Sequence, residues 1–224
     1  MGEQIRLRAE DGVEFTAYRA DPGGGRRGAV VVIQEVFGVN AHIRDVCDRF
    51  ADQGYAAIAP ALFDRVRPGV ELGYDEAGVS EGRGLVTDLG WEAPLRDVWA
   101  AAKALRADGR VGVVGYCWGG TIAWLAGCRL DVAAIAAYYG RQIVDFLGEK
   151  PRCPAILHFG AEDPLIPAEN IDKVAAAYPG IPLFRYAGAG HGFNCERRAD
   201  FRPEVAATAL QRTLEFFTIY LKQG

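Results

Sequence analysis

Apolar and polar positions change period repeatedly along this chain, and each change predicts an element. Residues 4–8 and 13–19 alternate, with Asp11-Gly12 between them, which predicts two strands joined by a hairpin at an antiparallel N-terminal edge. A Gly-rich turn over 21–27 follows. Ala29 to Gln34 and Tyr55 to Ala59 are continuous apolar runs, as expected of strands buried on both faces, and Pro60 ends the second. Between them Asn40 is placed to cap a helix reaching about Gln53, with Ile43, Val46, Cys47 and Phe50 on one face. Leu95, Val98, Trp99, Ala102 and Leu105 mark an amphipathic helix with Pro94 near its start. Val111, Val113 and Val114 form a strand that leads into the apolar segment Thr121 to Cys128. Val132 to Tyr139, Ala155 to Phe159 and the stretch around Pro182 to Tyr186 predict three more strands. Residues 168–177 and 203–221 predict helices. This alternation predicts an α/β fold, a mostly parallel sheet with helices on both faces. Residues 61–91 contain Arg65, Arg67, Pro68, several glycines and many acids with weak periodicity, so an irregular excursion is expected there. No linker or repeat interrupts the chain, and residues 1–224 read as a single domain.

Composition narrows the function. Half of the 224 residues are hydrophobic, enough for a substantial core. A formal net charge of −4 argues against nucleic acid as a partner. No apolar run has the length to span a membrane. The N-terminus lacks a basic stretch followed by an apolar one, which predicts no signal peptide, and Leu7 speaks against a lipid anchor on Gly2. The five cysteines, Cys47, Cys117, Cys128, Cys153 and Cys195, are odd in number and scattered, with no C-x-x-C pair. That spacing predicts neither a disulfide framework nor a zinc site, and it fits a reducing cytoplasm. The expectation is a cytoplasmic protein with a small-molecule partner, no metal or cofactor, and a monomeric or weakly homo-oligomeric state.

The chemistry is concentrated in Gly115-Tyr116-Cys117-Trp118-Gly119-Gly120, between a strand and a helix. The pattern is G-x-S-x-G with Cys in place of Ser, so Cys117 is the candidate nucleophile on a sharp turn whose flanking glycines avoid collision with neighbouring backbone. A thiol nucleophile needs a base, and the base an orienting acid. His191 sits in a glycine-flanked loop, Gly188 to Phe193, and is the candidate base. His158 lies inside an apolar strand and reads as a core residue. His42 lies on the first turns of a helix and reads as solvated. Asp163 follows the strand Ala155 to Phe159 and is the candidate orienter, with Glu162 as its rival. The order Cys117, Asp163, His191 is that of α/β-hydrolases. The backbone N–H groups of Trp118 and Val36 are the expected oxyanion hole.

These residues resemble the dienelactone hydrolase family, a cysteine-nucleophile branch of the α/β-hydrolase fold. The matching segments are Gln34 to Asn40, Gln53 to Ala57, Val113 to Gly120, Tyr138 to Gly140 and Gly188 to Phe193. The resemblance runs over nearly the whole chain, and Q-E-x-F-G-x-N and G-Y-C-x-G-G are specific to this family. It implies hydrolysis of an ester or lactone, and it implies that Glu35 receives the thiol proton when substrate rearranges the site. The alternatives are a general carboxylesterase or thioesterase with the same triad, or a non-catalytic redox-sensing member of the fold. The family's type enzyme holds a substrate carboxylate with two arginines, one of them four residues after the catalytic histidine, where this chain has Cys195. Arg83 and Arg197 are the nearest replacements, Arg198 reads as solvated, and Phe37 and Tyr139 complete the candidate substrate-binding residues. The expectation is therefore a weaker preference for a substrate carboxylate.

Overall fold

A computed structural model describes residues 2–222; Met1, part of the N-terminal reading above, lies outside them. Eight strands form one sheet: β1 (Glu3–Arg8), β2 (Glu14–Ala20), β3 (Gly28–Ile33), β4 (Tyr55–Pro60), β5 (Val111–Tyr116), β6 (Ala134–Tyr138), β7 (Ala155–Gly160) and β8 (Leu183–Tyr186). Their order across the sheet is β1-β2-β4-β3-β5-β6-β7-β8. β1 pairs antiparallel with β2, and β2 antiparallel with β4; every other pairing is parallel. The antiparallel edge and the parallel body thus stand where the change from alternating to continuous apolar patterning placed them. Val30 to Ile33, Val113, Val114 and Ile135 to Ala137 are fully excluded from water. These positions carry the centre of the core, and burial of each larger aliphatic side chain is worth roughly 1.5–3 kcal/mol.

Among the described residues six α-helices accompany the sheet: α1 (Ala41–Asp52), α2 (Glu76–Leu89), α3 (Glu92–Leu105), α4 (Trp118–Arg129), α5 (Ala168–Ala177) and α6 (Pro203–Tyr220). Asn40 caps α1 as expected, accepting from the Ile43 N–H. α1 and α6 meet through Phe50 and Phe217, whose rings lie 6.2 Å apart, while α3 and α4 pack against each other. Among the described residues no helix is long and apolar enough to cross a membrane.

The excursion over 61–91 is a correction. It holds a 3₁₀ turn (Leu62–Arg65) and the 14-residue α2. Asp75 caps α2 by accepting from the Gly78 N–H at 2.8 Å. The helical period was diluted by Gly78, Gly82 and Gly84, and two of these glycines serve packing. A Cβ on Gly78 would stand 2.1 Å from the Gly73 carbonyl oxygen, and one on Gly82 only 2.0 Å from that of Val36. Gly82, one of the residues that hide the helix in the sequence, lets it lie against the loop after β3, and Gly78 admits the carbonyl just before the helix.

Candidate active site

The carboxyl ends of β3, β5 and β7 open on one edge of the sheet, and the loops that follow them build the site. Cys117 stands between β5 and α4 with φ 57° and ψ −119°, a region costly to any residue but glycine. Surrounding backbone enforces it. A Cβ on Gly115 would lie 1.9 Å from the Gly119 carbonyl oxygen, and one on Gly119 would lie 2.3 Å from that of Gln34. The Cys117 N–H donates to the Tyr138 carbonyl at 3.0 Å, tying the turn to β6.

His191 and Asp163 meet Cys117 there. His191 Nε2 is 3.1 Å from Cys117 Sγ, and Nδ1 is 2.7 Å from Asp163 Oδ2. The other Asp163 oxygen accepts from the Leu165 N–H at 2.8 Å, which fixes the carboxylate. Glu162 instead accepts from the Gly188 N–H and holds the histidine loop rather than the ring. His191 and Asp163 are buried, whereas Cys117 is half-exposed. Burial opposes charge on His191, but the neighbouring Cys117 and Asp163 outweigh it and raise the imidazole to about 10. The Trp118 and Val36 N–H groups are engaged by no other described group, so both remain free to donate.

Cys117, Trp118 and His191 line a cavity of about 280 Å³ together with Phe37, Leu165 and Gln142. Arg83, Arg141 and Arg198 line it as well. Arg83 reaches the cavity from α2, within the stretch expected to be irregular. Arg197 is not: it pairs with Asp45 at 3.0 Å and stands outside the cavity. Arg198, expected to be solvated, points inward and lies 3.5 Å from Glu35. Its guanidinium occupies the space above Gly192, where a Cβ would stand 2.8 Å from Cζ. Gly192, with φ 80°, was the signal in the sequence for that approach. Arg141 and Gln142, just after β6, carried no such signal.

Tyr139 is fully buried with φ 40° and lies behind the site, its ring 5.1 Å from that of His191. It supports the imidazole and does not line the cavity. Glu35 is likewise buried, and neither of its oxygens accepts a hydrogen bond from a described residue, so the thiol faces His191 and not Glu35. Arg44, a conceivable partner for Glu35, pairs with Glu71.

His42 is a second correction. It is fully buried because the loop after His191 folds over α1, and its Nδ1 lies 3.2 Å from Glu196 Oε2, too oblique for a hydrogen bond. Glu35, His42 and Cys195 are the one group among the described residues with the spacing to hold a metal ion. Arg198 and Glu196 already supply opposite charges to its carboxylate and its imidazole.

Comparison with known proteins identifies the family. The sequence profile of the dienelactone hydrolase family matches residues 15–221. The carboxymethylenebutenolidase of Pseudomonas putida is 33% identical over 224 aligned positions, covering 96% of this chain and 95% of that protein. A protein of Synechocystis sp., provisionally given the same name, is 36% identical over 230 positions and covers 94% of each. A solved structure from Klebsiella pneumoniae, assigned by name as a dienelactone hydrolase, superposes with a TM-score of 0.85 at 30% identity, over 97% of this chain and 100% of that one.

Proposed function

This chain belongs to the dienelactone hydrolase family, and on that premise we propose that it hydrolyses an acidic ester or lactone through Cys117. The observation that carries the reading is the continuous contact from Cys117 Sγ through His191 to Asp163, at 3.1 and 2.7 Å. An imidazolium beside the sulfur favours the thiolate. The thiolate adds to the carbonyl carbon, and the oxyanion forms between the Trp118 and Val36 N–H groups. As the C–O bond breaks, His191 gives its proton to the leaving oxygen and a thioester remains on Cys117. His191 then takes a proton from water, the hydroxide adds to the thioester, and the thiolate leaves with release of the acid. Asp163 holds the ring in one tautomer throughout.

The family's terms offer a second source of the thiolate: the resting sulfur is a thiol, the Glu35 carboxylate receives its proton once substrate rearranges the site, and the proton returns when the thiolate leaves the acyl group. The substrate class is drawn from the cavity. Three arginines at its wall favour an anionic substrate, in place of the weak carboxylate preference expected from Cys195. The same arginines weigh against a general carboxylesterase acting on neutral esters.

The test is kcat/KM for a carboxylate-bearing dienelactone, its methyl ester and an activated aryl ester. The acid is expected to be favoured about ten- to a hundredfold, the worth of one charge-assisted contact. Cys117→Ala is expected to lose on the order of 10³-fold or more on all three. An alanine variant keeping a tenth of the activity would remove Cys117 from the reaction.

A further inference from the structure

Glu35 is nearly sealed from water, and no described residue donates a hydrogen bond to its carboxylate. A carboxylate in such a place requires cations nearby. Arg198 is one, at 3.5 Å. His42 is a second: one of its ring nitrogens, a Glu35 oxygen and Cys195 Sγ all lie within 4.8 Å of one another. His42 Nδ1 in turn stands 3.2 Å from Glu196, and Arg49 covers Glu196 at 3.4 Å. The Tyr116 ring lies 6.4 Å from that of His42, and the Tyr74 hydroxyl is close enough to feel both Glu35 and Cys195. His42, Cys195 and Glu196 take no part in the hydrolysis as derived above, yet two of them are completely buried beside a group that does.

Burial works against charge on His42, but the contacts with Cys195 and Glu196 and the field of Glu35 prevail, and the imidazole is raised to about 9. With His42 protonated, three carboxylates (Glu35, Glu196 and Asp200, the last 3.7 Å from Arg198) face three cations (His42, Arg49 and Arg198), and the charges cancel. With His42 neutral, one negative charge is left over. Arg198 is the one cation of the three that reaches the cavity, so the uncompensated negative charge is felt there.

We propose that His42 is a positioning residue: held by Cys195 and Glu196 as a counter-charge to Glu35, it leaves Arg198 free to take the carboxylate of the substrate. Without it, Glu35 would add its full charge to that of Asp200 on Arg198 and compete with the incoming anion. The inference rests on the reading of the substrate as acidic. Its mark is a selective effect on KM for the acid, with kcat and the neutral ester unchanged.

The experiment measures kcat and KM for the acid and its methyl ester across neutral and alkaline pH, and follows the ring protons of the three histidines by NMR. In the wild type, KM for the acid is expected to rise about tenfold as His42 loses its proton, a Coulomb effect of one charge at short range. Glu196→Gln, a change at a partly exposed side chain, is expected to move both the NMR titration of His42 and the rise in KM to lower pH together. His42→Gln is expected to show the raised KM at every pH. If the wild type does not prefer the acid to its ester, the substrate reading falls and the inference with it. If the preference is present but survives both His42→Gln and Glu196→Gln, only the inference falls. It is also overturned if His42 titrates below neutral pH in the wild type, or if the purified protein retains a stoichiometric divalent metal.

Discussion

At the scale of single residues, the site divides into groups that touch the thiol and groups that hold those in place. Asp163→Asn tests the second kind. The asparagine still accepts from the Leu165 N–H, so the fold is expected to persist. However, an amide offers His191 Nδ1 the wrong partner, and kcat is expected to drop by about 10⁴-fold. Loss of the carboxylate also removes one of the influences that keep His191 protonated, so its NMR titration is expected to move to lower pH. If Glu162→Gln is the damaging change instead, the orienting acid is misassigned. Glu35→Gln is expected to lower turnover and to abolish any substrate-dependent change in alkylation of Cys117 by iodoacetamide. Identical labelling of wild type and variant, with and without a bound substrate analogue, would remove Glu35 from thiol activation. Cys117, Asp163 and His191 were legible in the sequence because each follows a strand and carries its own local frame of Gly or Pro. His42 and Arg198 were not, because their surroundings come from chain more than a hundred residues away: the loop after His191 covers the one, and Glu35 receives the other.

At the scale of elements, the strands and five of the six helices follow the periodicity, and α2 does not. Its glycines make a sharp test of why. Gly→Ala in an exposed helix interior ordinarily stabilises by about 1 kcal/mol. Gly84→Ala is expected to do so, since a Cβ there meets nothing within 4 Å. Gly82→Ala is expected to do the reverse, because its Cβ would stand 2.0 Å from the Val36 carbonyl oxygen. Either α2 lifts away or the peptide bearing the Val36 carbonyl moves, and the adjoining peptide across the Val36 Cα carries one of the two N–H groups assigned to the oxyanion. The expected outcome is a lower Tm and a loss in kcat of about 10²-fold, the scale of one oxyanion donor. Equal behaviour of the two alanine variants would show that α2 does not brace the site. Local pattern could not have shown this, since a glycine that loosens a helix and one that admits a carbonyl look alike in a sequence.

At the scale of the whole molecule, three histidines of one kind are given three electrostatic settings by their burial. His191 and His42 lie among thiols and carboxylates and are held protonated. His158, in the middle of β7, faces no acid among the described residues. Its Nδ1 meets the Tyr186 hydroxyl at 2.8 Å and its Nε2 the Thr213 hydroxyl at 3.1 Å, with the Phe184 ring stacked 5.8 Å away. The two hydroxyls can complete a neutral imidazole, one donating to it and the other accepting from it, and the ring joins β7 to β8 and α6. Burial, with a smaller contribution from Arg212, pushes it down to about 3. The unfolded chain takes a proton at this residue below about pH 6.5, whereas the folded one refuses it. The unfolded state therefore binds more protons in that interval, and stability falls as pH drops from 6.5 towards 3; above 6.5 the group contributes no pH dependence. At pH 5 the loss is about 2 kcal/mol, or roughly 4–8 °C in Tm for a chain of this size. His158→Gln keeps a donor and an acceptor but cannot titrate. The variant is expected to start from a lower Tm at neutral pH and then to lose several degrees less than the wild type on acidification to pH 5. Parallel Tm curves for the two proteins over that range would show that acid sensitivity arises elsewhere.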